Sequence, residues 1–133
     1  MENTILISRD EQQIVTLTLN NPDKMNAMNL EMWQRLGDLM QELEADDSVR
    51  CIVVRGAGER AFSAGADIEE FPRTRLNKAQ ALAYGKITHR AMKAVSESRH
   101  PTLAVIQGAC VGGGLELAAV CDMRICGVSS RFG

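Results

Sequence analysis

The chain has 133 residues, 45% of them hydrophobic and 24% charged, a balance that fits one soluble globular domain with its own core. A net charge of -2 gives no basic field to steer a nucleic acid, and 4% aromatic residues leave little surface for stacking bases. No segment approaches the roughly 20 apolar residues of a membrane span, and the opening stretch, with Glu2, Asp10 and Glu11, is neither a secretory signal nor an acid-poor transit peptide.

In chain order, ILISRD and IVTLTLN alternate apolar and polar residues and predict an antiparallel hairpin. NNPDKMNAMN (20–29) is turn chemistry, and Asn29 is an N-cap for LEMWQRLGDLMQELEAD, where Leu30, Trp33, Leu36, Leu39, Met40 and Leu43 fall at helical spacing. CIVVR (51–55) reads as a buried strand, and GAGERAFSAGAD (56–67) as a long irregular loop with a possible helical start at Asp67 to Glu70. Asn77 can cap a helix running to about Ser98, with Leu82, Ile87, Met92 and Val95 on its apolar side. His100-Pro101 stops it, TLAVIQG (102–108) is a second buried strand, GLELAAV a short helix and DMRICGV (122–128) a third strand. Phe132-Gly133 closes neither cap nor strand, so a truncated chain, or one that a partner finishes, is expected. The alternation predicts an α/β layered fold with a largely buried sheet. The four cysteines, Cys51, Cys110, Cys121 and Cys126, form no CxxC pair; three stand in apolar runs and read as buried free thiols, not metal ligands. A reducing, cytoplasmic compartment is the expectation.

Two glycine-bearing turns carry the chemistry. Gly112, Gly113 and Gly114 stand between a strand and a helix, where unpaired amides and the helix dipole suit an anion. Glu116 follows Gly113 by three residues, on the same face and leaning toward that site. An amide donor beside a carboxylate suits proton transfer next to a developing oxyanion. On this stretch alone, a tight packing turn with Glu116 capping its own helix is the favoured reading, because a carboxylate in the first turn is stabilised in any helix. The second turn, AFSAGADIEEF (61–71), sets Ala64, Gly65 and Ala66 after the strand CIVVR. If CIVVR and TLAVIQG are neighbours, both turns sit at one sheet edge and two amides converge on one oxygen. Losing one such donor typically costs about 3–4 kcal/mol of transition-state stabilisation. The rival dinucleotide pattern G-x-G-x-x-A (56–61) lacks its following helix and its second strand ending in an acid.

Three segments, LNNPDKMNAM (19–28), CIVVRGAGERAFSAGADIEEF (51–71) and HPTLAVIQGACVGGGLELAAVCDMRI (100–125), together resemble the crotonase superfamily, the enoyl-CoA hydratase/isomerase group. The resemblance implies a spiral of ββα units, incomplete at the C-terminus, in which residues 1–133 are the N-terminal part of one domain assembled as trimers or pairs of trimers. It implies that the amides of Ala66 and Gly113 form an oxyanion hole for an acyl-CoA thioester. Glu116 matches the first of two glutamates that handle the water added to a 2,3-double bond in fatty acid metabolism. Lys24, Met25, and Ala64, Gly65, Ala66, Asp67 and Ile68, with Gly112 and Gly113, match segments that cradle coenzyme A, which arrives as part of the substrate; no other cofactor and no metal is implied. Lys24 faces the nucleotide phosphates or is a solvated loop lysine. The second glutamate falls beyond Gly133, so an isomerase, a dehydratase, a hydrolase or a non-catalytic acyl-CoA-binding fragment remains an alternative. Burial of Glu116 among Leu115, Leu117 and Ala118 is expected to raise its pKa. His89 reads as solvated, His100 as a helix stop, Asp122 as a structural acid, Glu69 and Glu70 as surface charges, and Trp33 and the methionines as core.

Overall fold

The computed structural model describes residues 4–133; Glu2, counted above in the opening stretch, lies outside the described residues. The alternating segments form the expected antiparallel hairpin, β1 (Ile5–Arg9) and β2 (Ile14–Leu19). The period of two turns Val15, Leu17 and Leu19 to one face, and all three are fully buried. From β2 the chain crosses over through α1 (Leu30–Glu44) and returns as β3 (Cys51–Gly56), parallel to β2. The Asn29 side chain accepts the Met32 amide at 2.8 Å and caps α1, a bond worth about 1 kcal/mol. Met32, Trp33, Leu36, Met40 and Leu43 form its buried stripe, while Leu30 is half-buried.

From β3 onward one unit repeats. The first strand of each unit joins a five-stranded sheet and the second joins a three-stranded sheet. β3 is followed by β4 (Ala61–Ser63), the short α2 (Phe71–Thr74) and α3 (Lys78–Ser96). β5 (Thr102–Ile106) is followed by β6 (Ala109–Cys110) and α4 (Gly113–Val120), and β7 (Met123–Cys126) by β8 (Arg131–Phe132). The orders are β1-β2-β3-β5-β7 and β4-β6-β8, parallel except for the first hairpin. Each ββα unit therefore steps one strand sideways in both sheets, which is the crotonase-type spiral. Helices α1, α3 and α4 cover one face of the large sheet with Leu36, Met40, Ala91, Val95, Leu117 and Ala118.

Several expectations are corrected. The 56–67 stretch is no single loop, because β4 lies within it, fully buried but too short to show a period. Phe132 does close a strand: it pairs opposite Cys110 in β8, and the Gly133 carbonyl accepts the Gly112 amide at 2.9 Å. Leu82 is 58% exposed, since the buried line of α3 runs through Tyr84, Ala91 and Val95, and a residue two before Tyr84 sits about 200° away around the helix. The sheet is buried on one face only: Val53 and Val105 are half-buried and β7 is exposed throughout. Cys126 and Met123 on β7 are accordingly exposed, not core. Asp122 keeps its structural role, its carboxylate accepting the Thr102 amide at 2.9 Å. His100 stops α3 and is also buried, its Nε2 lying 2.8 Å from the Leu43 carbonyl.

Candidate active site

The site is built where β4 and β6 end. β4 pairs with β6, and the Val111 amide donates to the Ser63 carbonyl at 3.1 Å, so the two following turns leave the small sheet side by side. In the first turn Ala66 forms a parallel bridge with Met28. The bonds of that bridge come from its neighbours: the Met28 amide to the Gly65 carbonyl at 2.7 Å, and the Asp67 amide to the Met28 carbonyl at 2.9 Å. In a parallel ladder the central residue's own amide points to the other side. On that side lies Gly113, the first residue of α4.

The approach of the turns is close. A Cβ placed on Gly113 would lie 3.7 Å from the Ala66 nitrogen, and one placed on Gly65 would lie 3.4 Å from the Gly113 nitrogen. Gly65 has φ +102°, a conformation that side chains rarely adopt, so both shape and backbone call for glycine there. The Gly112 and Gly114 amides are spent on Gly133 and Val111, whereas the Ala66 and Gly113 amides meet no protein acceptor among the described residues. Two unpaired donors from separate turns thus face one space.

That space is a cavity of about 380 Å³, whose lining includes Ala66, Gly113, Glu116, Trp33, Tyr84 and Arg75. Glu116 is the only carboxylate in the lining among the described residues, and it opens onto the cavity one turn into α4. The expected burial of Glu116 is not met. The residue is exposed, because α4 turns Leu117 and Ala118 into the core and Glu116 away from it. A larger hollow of about 820 Å³ runs between α1 and α3 and includes neither turn, so it offers no paired amide donors.

The first turn is braced from the 21–28 loop. Asn26, almost wholly buried, donates to the Ala57 and Ala61 carbonyls at 3.0 and 2.8 Å and accepts the Asn21 amide at 3.0 Å. The Met25 carbonyl accepts the Ala64 amide at 2.9 Å. Asp67 caps the short 3-10 turn Ile68–Glu70 by accepting the Glu69 amide at 3.1 Å. Lys24 pairs with Glu69 at 2.8 Å and with Asp67 at 3.3 Å, first through the Glu69 bond and then the Asp67 bond, and both hold its pKa above the ordinary lysine value. Lys24 is therefore a partly exposed, paired lysine; Ala64 and Ile68 are exposed beside it.

Glu69 is a surface charge as expected, but Glu70 is not: it is 7% exposed and its carboxylate accepts the Leu30 amide at the start of α1. Burial, chiefly, raises its pKa, against the Leu30 bond. Sequence reasoning also missed the far wall. Trp33 and Tyr84, the single Trp and single Tyr of the chain, are 2% and 7% exposed, and neither Nε1 nor the hydroxyl has a hydrogen-bond partner among the described residues. Aromatic rings with polar tips at core spacing were the available signal.

The Enoyl-CoA hydratase/isomerase family model matches residues 9–133. The chain is similar to YngF of Bacillus subtilis, 38% identical over 125 residues covering 94% of this chain and 47% of that protein. It is similar to the short-chain-enoyl-CoA hydratase of Clostridium acetobutylicum, 32% identical and covering 100% of this chain and 50% of that protein. Among solved structures, an enoyl-CoA hydratase/carnithine racemase from Magnetospirillum magneticum superposes with a TM-score of 0.94 at 45% identity, over 100% of this chain and 49% of the other. The chain spans about half the length of the relatives it matches.

Proposed function

The chain belongs to the enoyl-CoA hydratase/isomerase family, and from that premise we propose that it serves the hydration of 2-enoyl-CoA thioesters. The observation that carries the reading is the pair of unpaired amides, Ala66 and Gly113, facing a cavity that also holds Glu116. Water adds to C3 of the enoyl group, electron density moves into the thioester carbonyl, and the two fixed amides stabilise the enolate oxygen without reorganising. Glu116 takes the proton of the attacking water and delivers a proton to C2 as the enolate collapses, so that OH on C3 and H on C2 complete the addition. The stretches around Lys24 and Met25 and from Ala64 to Ile68 are assigned to the coenzyme A side. There Lys24 reaches a phosphate only by loosening its pairs with Asp67 and Glu69. Coenzyme A enters as part of the substrate, and the reaction calls for no resident cofactor or metal. Assembly as a homotrimer or hexamer, a cytoplasmic setting and a role in fatty acid metabolism complete the reading. Among the described residues no helix is long and apolar enough to cross a membrane.

Glu116, the only carboxylate in the lining among the described residues, also suits a second reading within the same family, a double-bond isomerase in which one acid carries the proton between carbons. Following the enoyl-thioester absorbance, with product identified by mass, separates the two, since hydration adds a water and isomerisation does not. Glu116→Gln is expected to lower turnover by roughly 10²–10⁴-fold while thioester binding persists. Full activity in that variant would overturn the assigned role.

A further inference from the structure

The wall of the cavity formed by Trp33, Tyr84 and Arg75 is more polar than a hydrocarbon chain needs. Trp33 and Tyr84 are more than nine-tenths buried, and both polar atoms lack a hydrogen-bond partner among the described residues. Leaving such donors dry and unpaired costs about 1–3 kcal/mol each, a cost that a ligand acceptor removes. Arg75, which follows α2, stands over the Phe71 ring at 4.4 Å and the Tyr84 ring at 5.4 Å from guanidinium to centroid. Phe71 and Tyr84 meet edge to face at 5.9 Å, fixing the platform on which Arg75 rests. No acid pairs with Arg75 among the described residues; nearby Glu70 is committed to the Leu30 amide.

These groups share the cavity with the two amides. The Trp33 ring packs against Gly113, with Cζ2 3.3 Å from where a Cβ on that glycine would lie. Tyr84 and Arg75 come from α3 and the end of α2, whereas Glu116 stays on α4 beside Gly113. The cavity therefore holds the two amide donors and the Glu116 carboxylate together with the Arg75 guanidinium, the Trp33 N–H and the Tyr84 hydroxyl, with Thr88 and His89 completing its polar lining. A planar guanidinium without an acid partner fits a carboxylate, and an N–H and a hydroxyl without partners can donate to its oxygens.

Resting on the acyl-CoA reading above, we infer that the acyl group this cavity takes ends in a carboxylate, bound by Arg75 with the Tyr84 hydroxyl and the Trp33 N–H. The site thus selects thioesters of short dicarboxylic acids over those of simple fatty acids, and a cavity of about 380 Å³ suits a short chain.

Calorimetric binding of succinyl-CoA and butyryl-CoA tests this, since both carry four-carbon saturated acyl groups that cannot be hydrated. The protein is expected to favour succinyl-CoA by about tenfold or more, the scale of one hydrogen bond to a charged group. Arg75→Gln should bring that ratio close to one, and Tyr84→Phe should lower it in part. Arg73→Gln, which removes a neighbouring cation outside the cavity lining, should leave the ratio where it is. Both thioesters binding with equal affinity, or Arg73→Gln collapsing the ratio as far as Arg75→Gln, overturns the carboxylate site and leaves the acyl-CoA reading standing. Failure of both thioesters to bind overturns the acyl-CoA reading, and this inference with it.

Discussion

Replacing Asn26 with Ala should unlock the first turn of the site. The side chain is 1% exposed and makes three hydrogen bonds, donating to the Ala57 and Ala61 carbonyls at 3.0 and 2.8 Å and accepting from the Asn21 amide at 3.0 Å. At about 1 kcal/mol net for each bond the loss is about 3 kcal/mol. Asn26 also sits at φ +56°, in the left-handed region that Asn tolerates and Ala does not, which adds about 1 kcal/mol. The total of about 4 kcal/mol, over a urea dependence of about 2 kcal/mol per M, moves the unfolding midpoint down by about 2 M. Asn26→Gly loses the same bonds without the backbone strain and should be the milder of the two. Urea titration followed by circular dichroism gives both midpoints. A shift under about 0.5 M in Asn26→Ala, with the slope unchanged, would show that these bonds do not hold the 21–28 loop to the strand beneath the site.

Gly114→Ala puts its Cβ onto the Ser63 carbonyl oxygen and should cost about 3 kcal/mol. Gly85→Ala, in the middle of α3 with nothing within 4 Å, should instead raise stability by about 1 kcal/mol; thermal unfolding of the pair gives the contrast. Glu70 has its folded pKa raised chiefly by burial, so the folded chain binds its proton more readily than the unfolded chain. Relative to Glu70→Gln, the protein should therefore lose stability as pH rises from the ordinary value of 4.5 toward the raised one, and level off above it. A difference that instead grows in favour of Glu70 over that window would reverse the assigned cause. For the cysteines, burial pushes Cys110 and Cys121 up to about 11, while Cys126 is exposed and Cys51 lies between. A thiol reagent at pH 8 should modify Cys126 first and reach Cys110 and Cys121 only on unfolding; four equal rates would contradict the burial order.

What the sequence made legible is what local physics decides. The hairpin follows from alternation, and α1 and α3 begin where Asn29 and Asn77 cap them, the latter accepting the Gln80 amide at 2.9 Å. β4 and β6 were not legible because strands of three and two residues carry no period, and they exist only through pairing across a long loop. Glu70 looks like Glu69 in sequence, and only the arrival of the α1 N-terminus separates them. Glu116 fails the other way, since apolar neighbours in sequence are not neighbours in space: successive residues of a helix point about 100° apart. Trp33 is legible as core from its helical spacing, yet the missing partner of its N–H depends on packing of α1 against α3 that no short window contains.

The convergence of the two amides rests on the small sheet more than on either glycine motif. β3 beside β5 brings the two units together, but the separation of Ala66 from Gly113 is set by β4 against β6, where Ala61 faces Ala109 and Ser63 faces Cys110 with a register shift between. Without that shift, the residues after Ser63 would advance by one against those after Cys110, and a different amide would face Gly113. Ser63 holds both sides of this junction: its carbonyl accepts the Val111 amide at 3.1 Å and its hydroxyl accepts the Gly65 amide at 3.2 Å. Both bonds bind the turn to its partner at the point where the strands diverge. A glycine run and an Ala-Gly-Ala run, each ordinary alone, become one donor pair because a two-residue strand keeps its register against a bulged neighbour.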